Sequence, residues 1–501
     1  MLFNSFSFLF FYLPVVLAGY FCLGRLGAAW STAWLAAASL FFYAYWDLRF
    51  LPLLLLSVVV NYRASGAIAA APAGAPRRRR RLWAALAFNL GALAYFKYAN
   101  FFVAGVNSLG AGLPAPEIVL PIGISFFTFT QIAFLVDVYR DAVRERRFLD
   151  YLLFVSYFPH LIAGPVLHHK EMMPQFADPA NARPRAANFA VGLSIFVVGL
   201  AKKVLIADNL APMVAPVFAA GAHPQLLEAW IGALAFTFQL YFDFSGYSDM
   251  AIGLSLLFGV KLPLNFASPY KSANIRDFWR RWHMTLSRFL RNYLYIALGG
   301  GRAGPWLRCR NLMLTMLLGG LWHGAGWTFI VWGGLHGLYL VLHQGWRRLA
   351  GDAPPRWWGA PLTFLAVLLA WVLFRAPDLA TAADILGALG GANGLSLPHG
   401  LAGHAAWFAR LGVQPVFGGI RWIDFSAVGM PVLALAALLA FAAPNTQELF
   451  AAHRPCIDAV PQGPRRLAWT PGRRWAVALS ALLTICVVNM NRVSEFLYFQ
   501  F

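Results

Sequence analysis

Three histidines in the central third of the chain have the chemistry to act as a general base. His323 lies in the glycine-rich stretch 319–327 and follows an apolar run of 12 residues that starts after Arg310. As a helix, this run would extend only about 18 Å, partway across a bilayer. The glycines allow the helix to break, and a broken helix at membrane depth is tolerated where it lines a cavity. We therefore expect His323 to face a cavity near mid-membrane, where it could accept a proton.

Two further histidines could face the same cavity. His336 precedes the Arg347-Arg348 pair by 11 residues, so a helix would place it at a depth similar to that of His323. The alternative is that His336 only contacts a neighbouring helix. His283 stands among tryptophans and arginines, a pattern typical of an interfacial helix. A second interpretation, as well supported by the pattern, is a basic opening, or mouth, on the cytoplasmic side of the cavity. In it, Arg280 and Arg281 bind a phosphate-bearing donor and His283 lines the passage to the cavity.

Polar residues also interrupt the long apolar segment 228–258. Gln239, Asp243 and Tyr247 follow the spacing i, i+4, i+8 and would share one helix face, as possible supporting residues of the site. An aspartate within a span is costly and is usually paired or functional. The sequence leaves two alternatives open for Asp243, which would either orient a histidine or pair with an arginine. The adjacent His168-His169 pair suggests a metal, but no matching ligand spacing supports it, so we predict no metal site.

The elements that position these residues must lie in a membrane. The chain has 501 residues, of which 60% are hydrophobic and 12% charged, against roughly 25% charged in a typical soluble chain. So few charges cannot cover a soluble surface, which predicts an all-α, polytopic integral membrane protein. The net charge of +20 is attributed mainly to cytoplasmic loops, with a smaller share left for an anionic substrate or lipid headgroups. Nucleic-acid binding is not expected, because the sequence indicates no soluble domain.

The apolar stretches predict about 11 to 13 membrane elements, some of them short or re-entrant, around a central cavity. They form a single domain that covers the whole chain, 1–501. Within it, N-terminal spans occupy 1–115, a motif-bearing core occupies 116–350, and C-terminal spans occupy 351–501 with an outer loop near 377–425. Because the arginine-rich loops are assigned to the cytoplasm, both termini are expected on the periplasmic side.

Strings spread over nearly the whole chain occur in a fixed order. They are Leu120–Phe129, Val136–Arg140, Tyr241–Gly253, Phe278–His283, Gly320–Ala325 and Phe496–Phe501. Together they resemble the membrane-bound O-acyltransferases (MBOAT), and within them the bacterial alginate O-acetyltransferase (AlgI-like) branch. The resemblance implies that His323 matches the essential histidine of the family and that His283 matches its second motif histidine. We therefore expect these two residues to be catalytic.

The resemblance also implies a helical bundle of the family type in the bacterial inner membrane. Its expected activity is acyl transfer: an acetyl group moves from a cytoplasmic donor across the membrane for O-acetylation of an exported polysaccharide, as in alginate biosynthesis. Acetyl-CoA or another activated acetyl compound would be a substrate, and no bound cofactor is expected. The chain departs from the usual family pattern at Asn292, Gly301, His160, His168 and His169. These departures bear on the identity of the polysaccharide rather than on the reaction type.

Two alternatives remain at this point, a D-alanyl transferase of the teichoic-acid type and a non-enzymatic membrane transporter. Because the chain shows no internal duplication, a transporter with repeats is less favoured. A polysaccharide could not reach a histidine near mid-membrane, so besides membrane lipids we expect a periplasmic partner, an SGNH-type acetyltransferase or another polysaccharide-modifying protein. Trp407, Phe408 and Phe417 in the outer loop could dock this partner, or they could lie in the membrane interface.

Overall fold

The structure is a computed structural model of the full chain. It describes all residues apart from 115–116, 144–146, 163, 303, 352–356, 398, 413, 418–427, 462, 491–495 and 498–501. Within the described part, α-helices dominate, as the composition predicts, and the one sheet is a pair of two-residue parallel strands.

The N-terminal third consists mainly of apolar helices. These are α1 Leu13–Gly24, α2 Ala28–Ala44, α3 Leu51–Ala69, α4 Pro76–Leu93, α5 Ala99–Asn107, α6 Ile124–Tyr139 and α7 Phe148–Ser156. Proline stands in the first turn of α1, α3 and α4, where its missing N–H costs no hydrogen bond. Phe8–Tyr12 and Ala94–Tyr98 are π-helical, and the second of these segments joins α4 to α5.

The middle of the chain contains the longest helices. They are α8 His169–Ala177, α9 Ala186–Ala201, α10 Asp208–Val214, α11 Leu226–Leu257, α12 Ile275–Arg281, α13 Met284–Phe289, α14 Pro305–His323 and α15 Trp327–Ala350. Two π-helical segments, Lys202–Ala207 and Leu290–Tyr295, continue α9 and α13. α14 and α15 form an antiparallel hairpin that closes on the glycines around His323.

The C-terminal part adds shorter helices and the small sheet. They are α16 Gly359–Arg375, α17 Leu379–Leu389, β1 Ser396–Leu397, α18 Ala405–Arg410, β2 Val416–Phe417, α19 Gly429–Phe441, α20 Thr446–Phe450 and α21 Arg473–Asn489. Ser396 pairs with Val416. Residues 379–389 were assigned to an outer loop from the sequence, but they form α17, whose Ile385 and Ala388 are fully buried. The Asp378 side chain caps this helix by accepting from the Thr381 N–H.

α11 is the central helix, and almost every residue from Phe236 to Leu257 is buried. It packs most extensively against α9, through glycines that allow the two backbones to approach closely. An added Cβ at Gly246 would lie 2.8 Å from the Gly199 carbonyl oxygen, so only glycine fits there. Such small-residue contacts are typical of helices that associate within a membrane.

Helices long and apolar enough to cross a membrane occur at Leu48–Ala69 and Ala186–Val214 in the part of the chain that the structure describes. Shorter apolar helices are Phe8–Gly24, Ala28–Ala44, Ile124–Tyr139, Gly359–Arg375, Leu379–Leu389 and Gly429–Phe441. The helical class that we predicted is therefore confirmed. The larger count of about 11 to 13 membrane elements stays a prediction.

Candidate active site

His323 is the last residue of α14. The helix stops because Gly324 takes an extended conformation (φ −156°, ψ 150°), which confirms the break expected from the glycines. The imidazole is buried, and aromatic rings surround it: the ring centroids of Trp322, Trp332 and Phe374 lie 4.9, 5.1 and 5.4 Å from that of His323. The helix end thus presents His323 within an aromatic enclosure rather than at a lipid-facing surface.

Lys97 supports this helix end, and our sequence analysis did not identify it. Its ammonium donates to the carbonyl oxygens of Trp322, at 2.6 Å, and His323, at 2.9 Å. Next to it, the Tyr98 hydroxyl donates to the Leu321 carbonyl at 2.8 Å. The last carbonyls of a helix lack intrahelical hydrogen-bond partners and carry partial negative charge. A lysine ammonium both donates hydrogen bonds to these carbonyls and neutralises their charge. A lysine inside an apolar stretch is itself a signal of function, and it could have been used.

His336 lies in the same aromatic cluster as His323. The Trp332 ring stands between them, with its centroid 4.9 Å from that of His336 and 5.1 Å from that of His323. The ring centroids of Phe278 and Trp279 also lie near that of His336, at 6.2 and 5.1 Å. Among the described residues, neither ring nitrogen of His336 has a hydrogen-bond partner. The prediction that both histidines face one region agrees with this placement.

His283 lies between α12 and α13 in a left-handed backbone conformation (φ 42°) that non-glycine residues rarely adopt. Its Nδ1 lies 3.1 Å from the Oδ1 of Asn265, which also accepts from the Thr285 hydroxyl at 3.0 Å. Asn265 therefore fixes both the turn and the ring orientation. The ring centroid of His283 lies 6.5 Å from that of Trp322, the residue that precedes His323.

A cavity of about 790 Å³ opens beside these helices, and we call it the basic cavity. Its arginines are Arg276, Arg280, Arg288, Arg291, Arg308, Arg347 and Arg348, accompanied by the single carboxylate Asp458 among the described lining residues. Burial, and then the charges of Arg280, Arg347 and Arg308, lower the pKa of Arg276 below its ordinary value. Such crowding of like charges favours an anionic ligand.

The two arginines proposed for donor binding have different environments. Arg280 lines the basic cavity. Arg281 is not one of the described lining residues, and its Nε lies 3.0 Å from both carboxylate oxygens of Asp277 on the same helix. Trp279, one residue before Arg280, forms part of the cavity wall and also contacts His336. The inner wall of the basic cavity is therefore continuous with the aromatic cluster around the histidines.

The polar face of α11 has a different role from the one that we expected. Asp243 accepts from Lys203 at 2.7 Å and from the Leu497 N–H at 3.0 Å, so among the described residues its charged partner is a lysine rather than the histidine or arginine that we expected. Lys203 was missed because it follows α9, 40 residues before Asp243. The Tyr247 ring contacts Phe3, with centroids 4.9 Å apart.

Gln239 is the remaining supporting candidate on α11. It is buried, and its Oε1 has no hydrogen-bond partner among the described residues. The described contacts of Asp243 and Tyr247 are with Lys203, Phe3, Phe496 and Leu497. None of these contacts is with His323, so this face of α11 joins the two ends of the chain to the core.

The fold and the site together define a helical membrane protein with a buried histidine beside a basic cavity. The chain belongs to the membrane-bound O-acyltransferase family, whose sequence model matches residues 16–382. It is 45% identical over 432 residues to a peptidoglycan O-acetyltransferase from Helicobacter pylori, covering 80% of this chain and 81% of the relative. It is 46% identical over 391 residues to a probable alginate O-acetylase AlgI from Azotobacter vinelandii, covering 76% of each chain.

A more distant relative is a teichoic acid D-alanyltransferase from Bacillus subtilis, 26% identical over 267 residues, or 51% of this chain and 67% of the relative. The family and these relatives make the protein an acyltransferase of the membrane-bound class. The expectations of an enzyme and of this family are thus confirmed. A transporter without enzymatic activity is no longer needed to explain the sequence.

Proposed function

We propose that the protein is an O-acetyltransferase that moves an acetyl group from an activated donor towards an exported polysaccharide. The observation that carries the proposal is the junction at Trp279, which belongs both to the wall of the basic cavity and to the aromatic cluster around His336 and His323. Relatives with about the same identity act on alginate and on peptidoglycan by their names, so we assign a polysaccharide but not a particular polymer.

The donor is proposed to bind in the basic cavity. Its volume falls within the range of roughly 300 to 1,000 Å³ of small-molecule sites, and its arginines suit the phosphates of a nucleotide-bearing thioester such as acetyl-CoA. The apolar inner wall, with Trp279 and Met316, would receive the acyl end. We propose that this mouth faces the cytoplasm of a bacterial inner-membrane protein, with both termini on the periplasmic side.

In the proposed reaction, neutral His323 acts as the general base. It accepts the proton of an acceptor hydroxyl as that oxygen attacks the acetyl carbonyl carbon. A new ester C–O bond forms, the thioester C–S bond breaks, and the proton passes to the leaving thiolate. His283, held by Asn265, would orient the reacting groups from the other side of Trp322. The acceptor hydroxyl would belong to a separate periplasmic acetyltransferase that then modifies the polymer.

The test is the ester content of the exported polymer with and without His323. We expect His323→Ala to slow the formation of acetyl ester by a factor of about 10² to 10⁴, which is the usual effect of losing a general base. The exposed His223 provides a matched control, because His223→Ala should leave the ester content unchanged. Insertion and amount of each variant are checked by quantitative blotting of membranes.

Separate assays for acetyl and D-alanyl esters distinguish the two acyl groups. Acetyl ester alone supports the proposal, whereas D-alanyl ester would assign the activity of the more distant relatives. Wild-type acetyl ester in His323→Ala would remove His323 from the reaction.

A further inference from the structure

Two histidines and a carboxylate meet at the end of α6, outside the active site. Asp137 lies in the last turn of α6, and His168 and His169 stand at the start of α8. The Asp137 Oδ2 lies 2.8 Å from the His168 Nε2 and 3.5 Å from the His169 Nδ1. One ligand atom from each of the three residues lies within 4.8 Å of the other two. From the sequence we noted the two adjacent histidines but predicted no metal site, because Asp137 is remote from the pair along the chain.

His169 is the unusual member of the group. It is only 4% exposed, and neither of its ring nitrogens completes a hydrogen bond of regular geometry with a described residue. The Asp137 carboxylate and the Ala142 backbone lie near the ring without such a bond. Leaving a buried polar group without a hydrogen bond destabilises the folded protein, so this imidazole requires a partner. An imidazole without such a bond, close to a carboxylate and to a second imidazole, suits a metal ion.

We propose that Asp137, His168 and His169 bind a divalent transition-metal ion, with zinc the best fit. Two imidazoles favour zinc over magnesium or calcium, which prefer oxygen ligands. Zinc bonds of about 2.1 Å place tetrahedral ligands about 3.4 Å apart, so small shifts from the observed 2.8 and 3.5 Å are enough. Water would fill the fourth position.

Tyr293 supplies the outer shell of this site. Its hydroxyl donates to the Asp137 Oδ2 at 2.7 Å, as residues behind metal-binding carboxylates do, and it also lies 3.0 Å from the His168 Nε2. Because the His168 Nδ1 accepts from the Lys170 N–H, the Nε2 must lose its proton before it can bind zinc. The guanidinium of Arg140 lies over the Tyr293 ring, 5.7 Å from its centroid, and Lys170 follows the pair, so two cations oppose binding. The attraction of the metal ion to the carboxylate and the neutral imidazoles must therefore exceed its repulsion by these two cations.

The metal would connect α6 and α8 to a segment at the wall of the basic cavity. Tyr293 belongs to the π-helical segment Leu290–Tyr295, which also supplies cavity-lining residues. A second contact joins α8 to α13, the helix that this segment continues: the Glu171 carboxylate on α8 accepts from the cavity residue Arg288 on α13 at 2.6 Å. We infer a structural metal that holds α6, α8 and this segment together, independently of the reaction proposed above.

The experiment uses the full-length protein in detergent, purified through a tag without histidines. After chelator treatment, incubation with Zn²⁺ and gel filtration, metal content is measured by mass spectrometry. We expect about one zinc ion per chain, and roughly tenfold less or lower in His169→Ala and Asp137→Asn. His223→Ala is the matched control, because His223 forms a simple pair with Asp384 at 3.2 Å. It should retain zinc like the wild type.

A second measurement covers variants that fold poorly. Zn²⁺ but not Mg²⁺ should raise the thermal unfolding temperature of the wild type, and Tyr293→Phe, which keeps the ring, should need roughly tenfold more zinc for the same rise. Substoichiometric zinc in the wild type would overturn the proposal and leave a hydrogen-bonded Asp–His–Tyr network. Equal zinc in wild type and His169→Ala would overturn it as well, by showing adventitious binding elsewhere.

Discussion

At the scale of single residues, the attachment of His323 depends on a lysine from another helix. Lys97→Met keeps the length of the side chain but removes both bonds to the end of α14. Hydrogen bonds from charged donors contribute about 1.5 to 3 kcal/mol, so we expect kcat to fall roughly 10- to 100-fold. The donor KM should stay unchanged, because Lys97 is not among the described residues that line the basic cavity. Steady-state acetyl transfer in membranes measures both constants.

Tyr98→Phe is the matched control for Lys97. It removes one neutral bond to the same helix end, that to the Leu321 carbonyl, and should lower kcat only slightly. If Lys97→Met raised the donor KM instead, or if both variants lost activity in proportion to their thermal stability, the positioning role of Lys97 would be refuted.

Arg280 and Arg281 offer a neighbouring pair with opposite expectations. Arg280 lines the basic cavity, whereas Arg281 is held by Asp277. We expect Arg280→Ala to raise the donor KM about tenfold, which corresponds to about 1.4 kcal/mol, with kcat nearly constant. Arg281→Ala should leave the donor KM within about twofold, since it removes an ion pair at the edge of the site. Equal KM values for the two variants would argue against donor binding in this cavity.

The sequence predicted part of this site and missed the rest for a physical reason. His323 could be placed because the glycines around it dictate a helix break within one short stretch. Lys97, Asn265 and Lys203 act through contacts with residues far away in the chain, and no local pattern encodes them. Lys97, for example, bonds to a carbonyl 226 positions later. The lysine that pairs with Asp243 was missed for the same reason.

At the scale of elements, the α14–α15 hairpin depends on glycines that face each other. A Cβ added at Gly333 would collide with the Met316 carbonyl oxygen and lie 3.1 Å from the Gly320 Cα. Because packed helices tolerate little extra volume, we expect Gly333→Ala to destabilise the protein by about 1 to 3 kcal/mol and to displace His323. Thermal unfolding in detergent, together with acetyl transfer, measures the effect.

Gly345, near the other end of α15, provides the control, since among the described residues no atom of another element lies within 4 Å of an added Cβ there. Gly345→Ala should be neutral or slightly stabilising, because alanine favours helix by about 1 kcal/mol over glycine. Similar losses of stability in the two variants would contradict the close helix contact.

The elements themselves were predictable where apolar runs are long and glycines or prolines end them, as in α11 and α14. α17 was assigned to a loop because our sequence analysis looked for apolar stretches long enough to span a bilayer. With only 11 residues, α17 is too short for that. Its apolar face could have identified it as a short buried helix packed on α11 and α16. The pairing of α11 with α9 depends on glycine contacts that only the folded chain brings together.

At the scale of the whole molecule, the exported polysaccharide is too large to enter the site. The partner, a periplasmic acetyltransferase, must therefore present its own hydroxyl to the protein. The segment after α17, with α18 and the short sheet, is the candidate docking surface. Trp407 there is 57% exposed, and its ring contacts that of Phe408. Exposed tryptophans often carry at least about 2 kcal/mol of an interface, or roughly 30-fold in affinity. Trp407→Ser should therefore reduce co-purification of the periplasmic acetyltransferase.

Trp357 is the matched control for this last prediction. It is 88% exposed and stands just before α16, whose other end leads into α17, so it should lie at the opposite membrane face. Trp357→Ser should leave recovery of the partner unchanged, while Trp407→Ser and deletion of residues 400–417 should both lower it. If recovery is equal in all variants, Trp407 lies in the membrane interface, where tryptophan is common in any case. The partner would then have to dock elsewhere, nearer the helix break at His323.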